Sequence, residues 1–273
     1  MSRALLVLIL TIACISPSFA QILYPPEIAE IKKRGKLIVA MTAFDNPPFY
    51  GGTLSNMSGL DVDIAKSVAK VLGVGIEYNR EAKSFAEVVD QVTKGNADVA
   101  ISKLSITGPR MTVVRFSTPY VKLNQAMLVN RLWLSQNSKT GNEDIAIRNF
   151  NGSISFIANS SYDTFARIAF PKATYKPESS WNNIIDGLIS GKYAAGFRDE
   201  FEIKRITLEK PSAPIHTKTV VLKDTVDNIA VAVHPNSVHL LSIVDYVIKQ
   251  EYNDIDIKRL ITLLKDYTEK NKE

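Results

Sequence analysis

Ser84-Phe-Ala-Glu-Val-Val-Asp-Gln-Val-Thr-Lys-Gly95 returns 96 residues later as Ser180-Trp-Asn-Asn-Ile-Ile-Asp-Gly-Leu-Ile-Ser-Gly191. A Ser, an aromatic residue, two β-branched residues, an Asp, an apolar residue and a Gly keep the same offsets. Each copy has the grammar of a helix: a hydroxyl to cap the first turn, apolar positions at helical spacing, and a Gly to end it. Each is followed by an apolar run, Asp98-Val-Ala-Ile101 in one case and Ala194-Ala-Gly-Phe197 in the other, which reads as a buried strand. A repeated helix–strand unit at this distance predicts two similar α/β lobes. Lys103 and Asp199 then stand at equivalent places, two residues beyond each strand. One polar loop from each lobe is expected to reach a shared cleft.

Outward from the first copy, Ile101-Ser-Lys-Leu-Ser-Ile-Thr-Gly-Pro-Arg110 leaves the strand with hydroxyls at Ser105 and Thr107 and a guanidinium at Arg110. Those groups can hold a small anion bidentately; they are also what a polar βα loop with a surface Arg would contain. Asn159-Ser-Ser161 precedes a helix expected over 162–170, so its hydroxyls and free N–H groups form either a second anion seat or an ordinary cap. Asp199 is either a helix cap or an ammonium acceptor. Asp61 and Asp63 look catalytic read by themselves, but acids are favoured in the first turn of the helix expected over 64–72. Phe44 either walls a pocket or plugs the lobe's edge, and Phe49 reads as a plug.

Composition narrows the class. The chain has 273 residues, 45% of them apolar and 22% charged, enough for a real core and two domains. Its basic residues are scattered, so the formal charge of +5 does not point to nucleic acid or a membrane surface. Arg3, the apolar run 4–13 and Ser16-Pro-Ser-Phe-Ala20 predict a secretory signal over 1–20, cleaved after Ala20; a lipoprotein signal using Cys14 is the rival. Cleavage removes the only cysteine, and with it thiol chemistry. His216, His234 and His239 lack metal-ligand spacing, and no nucleophile elbow, dinucleotide fingerprint or phosphate loop is present, so neither metal nor cofactor is expected. Strands are further expected over 36–40, 76–79, 124–130, 152–158, 175–178, 219–222 and 227–233, with helices over 25–33 and 240–267.

Taken together, Lys36-Leu-Ile-Val-Ala40 with Pro48-Phe49, Gly59-Leu-Asp-Val-Asp-Ile-Ala65, the stretch from Asp98 to Arg110 with Phe116-Ser-Thr-Pro-Tyr120, and Phe197-Arg-Asp199 resemble the family 3 solute-binding proteins, the periplasmic amino-acid receptors of ABC importers. The resemblance runs from about Lys32 to Tyr267. It implies a type II periplasmic binding fold, two three-layer α/β lobes joined by a two-strand hinge: 22–121 plus 229–273 as lobe one, 125–226 as lobe two, and 121–125 with 226–229 as the hinge. It implies that Arg110 grips the ligand's α-carboxylate, helped by Ser105 and Ser161. Asp199 would accept the α-ammonium with the Lys103 carbonyl nearby, Phe85 would lie over the ligand side chain, and Phe44 and Asn46 would border the same pocket. It implies a periplasmic monomer whose partners are a free amino acid and the transmembrane subunits of an ABC permease.

The chain also departs from the family pattern. Lys103 stands where Gly or Ser is usual. If its ammonium enters the cleft it disfavours a cationic ligand, and if it points to solvent it says nothing. Ala43 and Asn46 replace an acid and an aromatic residue common there, and Asn124 replaces the Gly common before the crossing Gln125. The fold also resembles that of periplasmic cyclohexadienyl dehydratases. In that alternative Glu202 would be the catalytic acid, kept protonated by desolvation, although Gln125 stands where those enzymes have Lys.

Overall fold

A computed structural model describes residues 23–138, 142–253 and 255–270; the expected signal segment, 1–20, lies outside them. The chain opens with α1 (Pro26–Arg34), closed by Gly35 in the left-handed region at φ 74°, and β1 (Lys36–Thr42). A short hairpin follows, β2 (Gly51–Thr53) and β3 (Asn56–Ser58), which the sequence reading passed over because its residues are mostly polar. Then come α2 (Leu60–Leu72), β4 (Gly75–Ala82), α3 (Phe85–Thr93) and β5 (Val99–Ser105). Both β4 and β5 lie parallel to β1.

After the short helix α4 (Gly108–Met111) and the two-residue β6 (Arg115–Phe116), the long strand β7 (Val121–Asn130) leads into α5 (Arg131–Asn137) and α6 (Glu143–Arg148). The α/β pattern then repeats as β8 (Ser153–Ile157), α7 (Ser161–Ala169), β9 (Thr174–Glu178), α8 (Trp181–Ile189) and β10 (Ala195–Asp199). The chain closes with α9 (Glu200–Glu209), α10 (Ala213–His216), β11 (Thr217–Val233), α11 (Val238–Glu251) and α12 (Ile257–Lys270).

The repeat seen in the sequence is a repeat in space. α3 and α8 start one residue after Ser84 and Ser180, whose hydroxyls accept the Glu87 and Asn183 amides, and Gly95 and Gly191 leave the two helices at φ 73° and 77°. β5 and β10, which follow them, each lie beside a parallel partner, β1 and β8.

Two strands tie the halves together. β11 runs antiparallel to β7 from Thr217 to Ile229 and to β5 from Ile229 to Val233, so strands expected separately over 219–222 and 227–233 are one strand with a register shift between Leu222 and Val226. Among the described residues the sheet order is β4-β1-β5-β11-β7-β10-β8-β9, with β6 on β11. The apolar cores divide between the halves, apart from Phe201 of α9, which joins the cluster of the first half. β5 sends Val99 and Ile101 into a cluster with α2 and α11 and turns Ala100 and Leu104 toward Val88 and Val92 of α3. In the other half, α7 packs Tyr162 and Ala166 with Phe197 on one face of the sheet, and α8 packs Ile184 and Leu188 on the other. The result is a mixed α/β, two-lobe type II periplasmic binding fold.

Two further expectations changed. The single amphipathic helix over 240–267 is two helices, because the chain turns after Tyr252 and Asp256 caps a new start by accepting the Arg259 amide at 2.8 Å. β5 also continues through Lys103 to Ser105 rather than becoming a loop at Ile101. Its polar residues are buried by β11, which is remote in sequence.

Candidate functional site

The site is built where β5 ends. Between Ala100 and Leu104 the register against β11 slips, a bulge that re-aims side chains, and Lys103 sits there in the left-handed region at φ 47°. Asp61, in the first turn of α2, holds that turn. Its Oδ2 accepts the Lys103 amide at 2.7 Å and its Oδ1 accepts the Tyr120 hydroxyl at 2.8 Å. Burial pushes the Asp61 carboxyl up to about 7, against these two hydrogen bonds. This carboxylate therefore does more than favour a helix N-terminus, since it fixes the backbone from which Lys103 projects.

Lys103 points inward, which decides between the two directions the sequence left open. Its Nζ donates to Asp199 Oδ2 at 3.0 Å and Glu202 Oε1 at 2.7 Å, and lies over the rings of Phe49 and Phe201 at 4.9 and 5.3 Å. The residues placed at equivalent positions by the repeat, Lys103 and Asp199, are thus bonded to each other. Asp199 is buried and also caps α9, its Oδ1 accepting the Glu202 amide at 3.0 Å. It is cap and ammonium acceptor at once, and the ammonium comes from within the chain.

Burial raises Glu202, but Arg198, Lys103 and Arg205 outweigh it and hold the carboxyl well below the usual range. A general acid needs its proton at working pH, and an ionised Glu202 bound to Lys103 and Arg205 does not have one.

On the other side of this ion cluster, Arg110 Nη1 donates to the Ser105 carbonyl at 2.9 Å. Burial lowers its guanidinium to about 10, still charged at neutral pH, and Asp227 opposes the shift. The Ser105 hydroxyl meets the Ser161 hydroxyl at 2.8 Å and donates to Asp227 Oδ2 at 3.0 Å. Ser161 opens α7, whose cap is Ser160; the helix thus starts one residue before the expected 162, and Ser161 is its first residue rather than part of its cap. Arg110, Ser105, Lys103, Ser161, Asp199 and Phe85 line one cavity of about 30 Å³, room for no more than a couple of water molecules.

Phe44 and Asn46 do not line this cavity. Phe44 is 44% exposed and stacks edge-on against Phe85 with ring centres 5.8 Å apart, so it backs the pocket wall from outside. Asn46 is buried elsewhere, its backbone N–H donating to the Tyr50 carbonyl at 2.8 Å.

The sequence reading missed Asp227 and Tyr162. Asp227 is 1% exposed and lines the cavity; burial, and then the nearby Asp199, push it up to about 6. The Tyr162 hydroxyl donates to its Oδ2 at 3.0 Å. An acid at the head of the apolar run Asp227–Val233 was the available signal. Asn124, the replacement at the crossing, donates through backbone and side chain to Glu200 Oε1 at 3.1 and 2.9 Å, tying β7 to the start of α9.

The family model for bacterial extracellular solute-binding proteins, family 3, matches residues 37–262. The fold is similar to that of the amino acid ABC transporter substrate-binding protein AbpA from Streptococcus pneumoniae bound to L-arginine, with TM-score 0.64 and 25% identity over 87% of this chain and 96% of that one. It is also similar to the ancestral amino acid-binding protein AncCDT-1, a precursor of cyclohexadienyl dehydratase, with TM-score 0.65 and 23% identity over 88% and 98% of the two chains; that likeness shows the fold. A membrane-bound lytic murein transglycosylase F from Saccharophagus degradans is 33% identical over 104 residues, which are 38% of this chain and 20% of the transglycosylase. The matched stretch is therefore a fifth of that relative's length.

Proposed function

The chain belongs to the bacterial extracellular solute-binding proteins of family 3, and from that premise we propose that it captures a free polar amino acid in the periplasm and delivers it to the transmembrane subunits of an ABC importer. One observation carries this reading. Arg110 and Ser105 from one half, and Ser161 at the start of α7 from the other, converge on a single cavity. A carboxylate entering there exchanges the Ser105–Ser161 bond for bonds from both hydroxyls, and gains the guanidinium and the N–H groups of the helix start. Groups on both lobes are then satisfied together, which gives the ligand differential affinity for the closed arrangement. Movement falls to the crossings expected over 121–125 and 226–229, beside the shifted register between Leu222 and Val226. Glu202, ionised in its ion cluster, serves closure and not proton transfer.

The test is a thermal-shift panel of the twenty standard L-amino acids on the mature chain. A true ligand at about a hundred times its Kd stabilises by about 2.7 kcal/mol, roughly 5–10 °C for a chain of this size. No shift with any of them contradicts the proposal.

A further inference from the structure

The acid expected to meet an incoming ammonium is already engaged. Asp199 gives one oxygen to Lys103 Nζ and the other to the Glu202 amide. Across the same cavity a second carboxylate has an oxygen to spare. Asp227 Oδ2 accepts the Ser105 and Tyr162 hydroxyls, while Oδ1 is buried and has no hydrogen-bond partner among the described residues. Building on the capture reading above, we propose that Asp227, not Asp199, receives the α-ammonium of the bound amino acid, and that Lys103 acts as a built-in ammonium filling the Asp199–Glu202 site.

The placement suits the chemistry. An α-amino acid carries its ammonium on the carbon next to its carboxylate, so the acceptor must lie beside the carboxylate grip. Asp227 does: the residue whose carbonyl holds Arg110 is the residue whose hydroxyl holds Asp227. A buried carboxylate oxygen without a donor is costly, and an arriving cation removes that cost. Burial and Asp199 disfavour the charged form of Asp227, and a ligand cation reverses that balance. The Lys103 clasp has the opposite consequence on its own side, because Asp199 and Glu202 there are already matched by Lys103, Arg198 and Arg205. The site therefore selects one ligand cation, beside the carboxylate.

The experiment compares each standard L-amino acid that binds the wild-type chain with the carboxylic acid lacking its α-amino group, such as glutaramate for L-glutamine, by titration calorimetry. Wild type is expected to prefer the amino acid by about 30-fold or more. Asp227→Asn keeps the shape and the acceptor for Ser105, and is expected to bring that preference to within about 3-fold while the des-amino acid keeps its affinity. Asp227→Ser carries the same expectation if the carboxamide does not fold. Preference retained in the folded Asp227 variants, or lost in Asp199→Asn while Asp227→Asn keeps it, overturns the assignment and leaves the capture reading standing. Absence of binding by any amino acid to wild type overturns both.

Discussion

Asp61 makes the stability of this protein pH-dependent in a way that can be worked out from its surroundings. It is fully buried, and its carboxyl is raised from an ordinary 3.8 to about 7. The unfolded chain therefore loses this proton near pH 4, while the folded chain keeps it to near 7. Between those values the folded state binds more protons, so the contribution is fully present below the unfolded value and is lost as pH rises. The whole span is worth about 4 kcal/mol, and the part between pH 5 and 7 about 2 kcal/mol. Asp227, raised to about 6, adds about 1 kcal/mol of the same sign over that interval.

Urea unfolding at pH 5 and pH 7 measures the difference directly. Asp61→Asn should remove about 2 kcal/mol of it, since its carboxamide can accept the Lys103 amide and donate to the Tyr120 oxygen but does not titrate. If wild type is equally stable at both pH values, or if Asp61→Asn keeps the full difference, the assignment of this proton to Asp61 is refuted.

Other consequences follow from the same contacts. Lys103→Met removes the shared cation of Asp199 and Glu202 from a buried cluster, so unfolding free energy should fall by about 3 kcal/mol in denaturant titrations; adding Asp199→Asn should recover part of the loss, because Glu202 keeps Arg198 and Arg205 while Asp199 is left only Arg198 at 4.0 Å. Ser84→Ala and Ser180→Ala each delete a helix cap at an equivalent position, and each should cost about 1 kcal/mol in the same assay. The two losses should add, because the caps serve separate cores.

The fold was legible because its signals are local. Capping Ser, apolar spacing and terminal Gly at 84–95 and 180–191 specify two helices without help from the rest of the chain, and the strands after them are short apolar runs. β5 was read too short because Ser102 and Lys103 are polar; what keeps them in a strand is β11, more than a hundred residues away in sequence. The site was legible in its residues but not in its pairings. Arg110, Ser105 and Ser161 were marked by their position after strands and at a helix start. The inward aim of Lys103 depends on a left-handed backbone held by Asp61, which no pattern in the sequence declares. Asp227 was passed over for a related reason: a lone acid at the head of an apolar strand looks like a loop residue until Ser105 and Tyr162 are seen to bury it.

The central claim is that Arg110 grips a carboxylate inside a closing cleft, and titration calorimetry of Arg110→Ala with an L-amino acid that binds wild type tests it most directly. A half-buried guanidinium removed from a charge-assisted contact should cost about 2 kcal/mol or more, a loss of about 30-fold or greater in affinity, with the fold retained by circular dichroism. Affinity unchanged in the folded variant would contradict the account.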